Sequence, residues 1–294
     1  MTGNIFRRIF MAIFSNQATL NYKGTSTNSN IAYGEILDIL TATKLSVEGT
    51  YTPGTLVTYV VTLRNTGNTA LSNLTITDDL GGYSFGGTTV YPLTYETGSV
   101  VLLIDGVPQA APAVTAGPPL TVSGISIPAG SDAVLVYQAR ANAYADPTAE
   151  GTIINTVTVT GDGLSAPITA TATVTAAVEP LLTISKSITP AQVVDNDRVT
   201  YTFVIQNSGN QPVVATDNAA ITDTFDPILT ALTVTFDGAP WTQGVQYNYS
   251  EVTGVFTTVP GQIVVPAATY TQDPVTGIYT ATPGIATLVV TGTI

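Results

Sequence analysis

Few side chains in this 294-residue chain can do chemistry. It has no cysteine and no histidine, which excludes disulfides, zinc chemistry and histidine acid–base catalysis. Only three lysines occur, and two of them, Lys44 and Lys186, open two related stretches. A lysine amine becomes a nucleophile when desolvation holds it neutral. Downstream of each comes an Ile-Thr-Asp strand end carrying a carboxylate, Asp78 or Asp223. Asp78-Asp79 is no catalytic dyad, because neighbouring strand residues point to opposite faces. Asp195-Asn196-Asp197 and Asp217-Asn218 lack EF-hand spacing and a terminal Glu ligand, and read as loops. The glycines between Leu80 and Gly87 are not followed by Gly-Lys-Ser/Thr, so they form no phosphate loop. We therefore expect no enzymatic activity, no metal, no cofactor and no small-molecule substrate.

The elements that must position these residues repeat. After Lys44 come Tyr51-Thr52-Pro53-Gly54 and then Val57–Arg64, ending in Asn65-Thr66-Gly67-Asn68. After Lys186 come Ile188-Thr189-Pro190 and then Val199–Gln206, ending in Asn207-Ser208-Gly209-Asn210. Tyr59 follows Lys44, and Tyr201 follows Lys186, at the same spacing. Strands ending at Asp78 and Asp223 come next in each copy. Pro128-Ala129-Gly130 leads into Ala133–Val136, as Pro283-Gly284 leads into Ala286–Val290. The first copy continues through Ile154-Asn155-Thr156-Val157 and a Gly161-Asp162-Gly163 turn to a closing hairpin, whereas the second stops at Ile294. We place domain one at residues 41–178 and domain two at 181–294, with Glu179-Pro180 as the joint.

Composition agrees with strands. Thr, Val, Ile and Tyr are abundant, hydrophobic residues make up 44%, and so a core can form. Many short strands separated by Gly, Pro, Asn and Asp turns indicate an all-β chain of antiparallel sandwiches. A net charge of −12 argues against nucleic acid and anionic membranes as partners. Residues 1–14 hold Arg7 and Arg8 before a short apolar run, about half the length of a signal peptide's. They read as a connector. The aromatics Tyr91, Tyr95, Tyr247, Tyr249 and Trp241 fall in inserted segments, where they pack a surface hairpin, bind sugar or make lateral contacts.

The Lys, Pro-Gly, Tyr-x-Val-x-Leu-x-Asn-Thr-Gly-Asn, Ile-Thr-Asp, Pro-Ala-Gly and Ile-Asn-Thr-Val-Thr-Val series resembles the Ig-like repeat domain of unknown function in Gram-positive and archaeal surface proteins. The resemblance covers residues 41–178 and most of 181–294. It implies two tandem Ig-like sandwiches and a stalk or surface-array role. It also implies a spontaneous amide between a first-strand lysine and a last-strand asparagine, assisted by an acid. In domain one the members are Lys44, Asn155 and Asp78. In domain two they are Lys186 and Asp223, with Asn16 supplied by another molecule. The competing reading is a solvated lysine at a strand start, a turn asparagine and strand-ending aspartates.

The Asn16 reading depends on residues 15–40. Ala18, Leu20 and Tyr22 alternate with polar residues, a polar turn is expected over Thr25–Asn30, and Ile31 and Tyr33 lie in a second β-rich run. This hairpin resembles the closing hairpin that domain two lacks. It has three possible fates: folding back on its own domain two, inserting into a neighbour, or having no relation to the gap. Only Leu37–Thr43 separate it from Lys44, a span of about 20–25 Å, so insertion into a neighbour is favoured. The donor would end beside the Ala286–Ile294 strand, against Ala286, Leu288 and Val290. About eight buried apolar side chains give on the order of 10–20 kcal/mol gross. A head-to-tail contact of this kind grows into a homopolymer unless it closes into a ring or a swapped dimer. The expected function is thus a self-assembling extracellular, cell-surface or spore-surface fibre. The alternative is a stalk or adhesin fragment that binds a host glycan or protein.

Overall fold

The computed structural model describes residues 12–36 and 39–294; the expected connector, apart from Ala12–Phe14, lies outside them. The chain is all-β. At its start, β1 (Ala12–Asn16) pairs antiparallel with β4 (Ala32–Ile36), and β2 (Thr19–Tyr22) with β3 (Thr25–Asn28). Together they make a two-stranded ribbon with a one-residue offset between its halves. Its tip differs from the polar turn expected over Thr25–Asn30, because Thr25–Asn28 is a strand. The turn is the pair Lys23-Gly24, with φ of 48° and 81°. Two successive positive φ values make the tight turn whose twist matches a hairpin, so the longer polar loop is not needed. Phe14 lies over Gly34, its cross-strand partner, and covers backbone that a side chain would otherwise shield. Ala18, Leu20, Tyr22, Ile31 and Tyr33 are all exposed.

Contacts beyond the ribbon fall into two compact units. The first comprises residues up to Asn142 together with Thr152–Val174, and the second comprises Ala143–Gly151 with Thr175–Ile294. In the first, β5 (Leu40–Ser46) pairs with β6 (Leu56–Asn65). The other strands are β7 (Leu71–Asp78), β8 (Val101–Ile104), β9 (Leu120–Ile127), β10 (Asp132–Ala141), β11 (Thr152–Asp162) and β12 (Ile168–Ala176). One sheet runs from Val107–Pro108 through β8, β10 and β6 to β5. The other runs from Ala113–Thr115 through β9, β7, β11 and β12 to Thr50–Tyr51. Period-two burial on β6, β10 and β11 sends Val57, Tyr59, Val61, Tyr137, Val157 and Val159 into one core between the sheets. Lys44 sits in the middle of β5, and only residues 37–39 separate that strand from the ribbon, fewer than the sequence indicates.

In the second unit, β13 (Leu182–Thr189), β14 (Arg198–Asn207), β15 (Thr222–Thr224), β16 (Thr230–Phe236), β17 (Val255–Thr258) and β18 (Gly284–Thr293) follow in order. Its larger sheet runs β13, β14, β18, β16 and Ala239–Trp241, the same neighbour order as β5, β6, β10 and β8. Its smaller sheet holds only β15, β17 and Tyr247–Tyr249. The position that β11 holds beside β7 has no counterpart beside β15 among the described residues.

The repeated Asn-x-Gly-Asn motif has a structural role. Asn65 Nδ2 donates to the carbonyls of Thr69, Ile127 and Pro128, while its Oδ1 accepts from Gly67 N at 2.9 Å. Asn207 does the same with Gln211, Pro266 and Gly209. Each asparagine satisfies buried backbone groups where two loops meet. A side chain at Gly209 would collide with the Glu179–Leu181 backbone.

Candidate functional site

Three strands and two tyrosines converge in the first unit. Alternation along β5 buries Leu40 and Lys44. The same pattern along β11 buries Ile153, Asn155, Val157 and Val159, and Asp78 ends the buried face of β7. Asn155 thus lies well inside its strand and is not a turn residue. The Lys44 side chain is 0% exposed and that of Asp78 2%. Lys44 Nζ lies 2.7 Å from Asp78 Oδ2. Tyr137 donates its hydroxyl to the same oxygen, and Leu80 N donates to Oδ1 at 2.8 Å. Asn155 Nδ2 donates to the Tyr137 hydroxyl at 3.4 Å. Lys44, Asp78, Tyr137 and Asn155 therefore form one connected series across the two sheets.

Tyr59 completes the enclosure. It is directly opposite Tyr137 across β6 and β10, and the rings stack with centroids 5.5 Å apart. Lys44 Nζ lies 4.8 Å from the centre of the Tyr59 ring. Burial pushes the Lys44 pKa below its ordinary 10.5, with Asp78 pulling it back up. Burial also raises both phenols, Tyr137 well above 10.0. Among the described residues, two buried side-chain atoms have no hydrogen-bond partner, the Tyr59 hydroxyl and Asn155 Oδ1. The Asn155 amide offsets part of the rise at Tyr59. Such a site can hold a desolvated amine beside an acid and a carboxamide.

The second unit builds half of this. Lys186 is beside Asp223, with Tyr201, Phe203 and Phe225 rings at 4.6, 5.4 and 5.2 Å from its Nζ. The Lys186 side chain is 38% exposed and that of Asp223 20%. Val290 pairs with Tyr201 as Tyr137 pairs with Tyr59, so no phenol stands where Tyr137 does. Along β13, Leu182, Ile184 and Ile188 keep the phase of Lys186 but are 44, 56 and 40% exposed. Asn16 is exposed in the ribbon, paired with Ala32.

One expectation about the donor edge is corrected. Ala286, Leu288 and Val290 are fully buried on β18, which pairs with β14 on one side and β16 on the other. That strand has no edge for a donor to join. Among the described residues, β15 is an edge strand of the smaller sheet and β13 an edge strand of the larger one. Tyr95, Tyr247 and Tyr249 are buried, and Trp241 stacks on Phe236, so these aromatics serve packing. Chemistry alone does not single out Tyr59 or Tyr137 in the sequence. The equal spacing of Tyr59 and Tyr201 from their lysines was the available signal, and Tyr137 had none.

No family model matches the chain, and no curated protein does. Among solved structures it is similar to the major pilin subunit of Bacillus cereus, at 11% identity and a TM-score of 0.37, over 92% of this chain and 73% of that one. It is also similar to the full-length major pilin of Corynebacterium diphtheriae, at 12% identity and a TM-score of 0.35, over 82% and 58%. A family 123 glycoside hydrolase from Clostridium perfringens matches at 14% identity and a TM-score of 0.31, over 48% and 28%. The chain thus spans little more than half of the corynebacterial pilin and about a quarter of the hydrolase. With TM-scores this low, what the chain does has to be read from its own residues.

Proposed function

We propose that this chain is a structural subunit of a self-assembling surface fibre, built head to tail by insertion of the ribbon of one copy into the second unit of the next. The observation that carries this reading is the exposed row Leu182, Ile184, Lys186 and Ile188 beside the free edge of β15. In the first unit the corresponding face of β5 buries Leu40 and Lys44. There β11 and β12 supply the missing layer, and their turn at Gly163–Ala166 lies against Ile39 and Leu40. The ribbon carries the same pattern as β11, an asparagine followed by apolar residues two and four places on. Asn16, Ala18 and Leu20 stand for Asn155, Val157 and Val159. An exposed apolar hairpin and an exposed apolar row satisfy one another by strand addition.

In the first unit the same reading assigns an amide between Lys44 Nζ and the Asn155 side chain, which would link the two sheets. At the joint between copies it assigns the equivalent bond between Lys186 and Asn16. The fibre belongs outside the cell. Among the described residues no helix is long and apolar enough to cross a membrane.

Deleting residues 1–36 tests assembly. The full chain is expected to form filaments by negative stain and a ladder of multimers that survives boiling in detergent. The truncated chain is expected to form neither. Filaments from the truncated chain would refute the proposal.

A further inference from the structure

We infer that the Tyr137 hydroxyl is the group through which Asp78 acts on Asn155, holding Nδ2 in place and carrying to it the proton with which ammonia leaves. This rests on the amide proposed above and adds a residue to its chemistry. The acid and the carboxamide do not bond to each other directly. Among the described residues, the Asp78 carboxylate accepts only from Lys44, Tyr137 and Leu80 N. The Asn155 side chain makes one hydrogen bond, from Nδ2 to the Tyr137 hydroxyl at 3.4 Å, and its Oδ1 has no partner. Tyr137 is thus the one bridge between them. Lys44 Nζ lies 2.7 Å from Asp78 Oδ2, and Tyr137 donates to that same oxygen. The oxygen placed to take a proton from the lysine is therefore the one that the phenol contacts, and the phenol oxygen is the one that Nδ2 contacts. An amide nitrogen leaves readily only once it is protonated, and a positioned acid typically contributes about 10²–10⁴-fold to such a step. Burial keeps the Tyr137 phenol protonated, so it has a proton to pass on. Tyr137 and Asn155 are both 0% exposed, so bulk water is not at hand to supply the proton instead. The Tyr137 ring stacks on Tyr59, its cross-strand partner, which fixes where the hydroxyl lies.

The step balances without any co-reactant. A proton passes from Lys44 Nζ to Asp78 Oδ2 and frees the amine lone pair. Nζ adds to Asn155 Cγ, and the carbonyl π pair moves onto Oδ1. Nδ2, no longer conjugated, takes the Tyr137 hydroxyl proton while the phenol oxygen takes the proton held by Asp78. The Cγ–Nδ2 bond breaks, ammonia leaves and the carbonyl reforms. The added nitrogen gives its surplus proton to Asp78. One C–N bond forms and one breaks, nothing is oxidised or reduced, and Tyr137 ends as it began. The products are an amide, ammonia and a protonated Asp78.

Two replacements of Tyr137 test this. Tyr137→Phe removes the hydroxyl and keeps the ring. Replacing Tyr137 by para-fluorophenylalanine at one reassigned codon fills the place of the hydroxyl with an atom that has no proton to pass on. The full chain is synthesised in a cell-free system, quenched in acid at intervals and digested. The linked pair of peptides holding Lys44 and Asn155 is then measured by mass, about 17 Da lighter than the two free peptides together. The unaltered chain is expected to link. Both replacements should link at least about 10²-fold more slowly, while the first unit still unfolds cooperatively in urea. An unchanged rate with Tyr137→Phe would overturn this inference and leave the amide standing. A rate restored by the fluorinated ring would assign Tyr137 to packing, with the same consequence. Loss of the cooperative transition in the fluorinated chain would assign the hydroxyl to folding and also overturn the inference. Absence of the linked peptides from the unaltered chain would overturn the amide and the inference together.

Discussion

The two lysine sites have nearly the same residues in nearly the same strands, yet their environments are opposite. Lys44 and Lys186 each face an aspartate across the sandwich and each lie over a tyrosine fifteen residues on. The larger sheets share one strand order. What differs is a hairpin. In the first unit β11 and β12 close the smaller sheet, bury the lysine completely and bring up Asn155. In the second the lysine is 38% exposed, and among the described residues no strand takes the β11 position beside β15. A single supersecondary element therefore decides whether the same residues form a dry reactive centre or a half-open one. Under the fibre reading, that element arrives with the next molecule, and the dry environment forms only at a completed joint.

Moving the ribbon should have the largest effect. Removing residues 1–36 and appending residues 12–36 after Ile294 through a flexible linker should leave a single, non-polymerising chain with a completed second unit. Burying Leu20, Tyr22, Ile31 and Tyr33 gives on the order of 10 kcal/mol gross, less the cost of ordering the linker. The unfolding transition of the second unit should rise well above that of the simple truncation. A transition at the same temperature in both chains would remove the basis for the comparison.

Breaking the ion pairs in unassembled protein comes next. Lys44→Ala leaves Asp78 buried and unpaired and should cost about 3–5 kcal/mol, besides any amide lost. Lys186→Ala removes a partly exposed pair and should cost about 0–1 kcal/mol. Urea unfolding at dilute concentration measures both, and equal losses would contradict the difference in burial.

The smallest expected effect is a pH dependence confined to the first unit. In Asn155→Ala, which cannot form the amide, the folded Lys44 keeps a pKa below 10.5. Between that lowered value and 10.5 the unfolded chain binds more protons than the folded one. Stability should therefore rise with pH across that window, by at most about 1.4 kcal/mol per pH unit. The Tyr59 and Tyr137 phenols are held above 10.0, so beyond pH 10 the folded state binds more protons there and stability should fall. Adding Lys44→Met should remove the rise and keep the fall. Chemical denaturation from pH 7 to 11 reads both limbs, and a rise that survives Lys44→Met would refute the assignment.

Much of this was legible in the chain because it depends on local order. The period-two runs, the Pro-Gly and Asn-x-Gly turns, the duplicated lysine and the Ile-Thr-Asp ends are properties of neighbouring residues, and they led to an all-β chain of two Ig-like sandwiches. The same alternation in Asn16–Tyr22 led to the ribbon as a hairpin. Local order could not show which strands become neighbours in a sheet. The Ala286–Val290 run reads as an available edge by its pattern, and only the pairing of β18 on both sides excludes it. Nor could it reveal that Tyr137 joins Asp78 to Asn155 while Val290 takes the matching place. Those residues are distant in sequence and meet only when two sheets are laid face to face. Alternation specifies that a strand has two faces. Which face is covered, and by what, depends on the rest of the fold, and here that decides whether a lysine is buried or exposed.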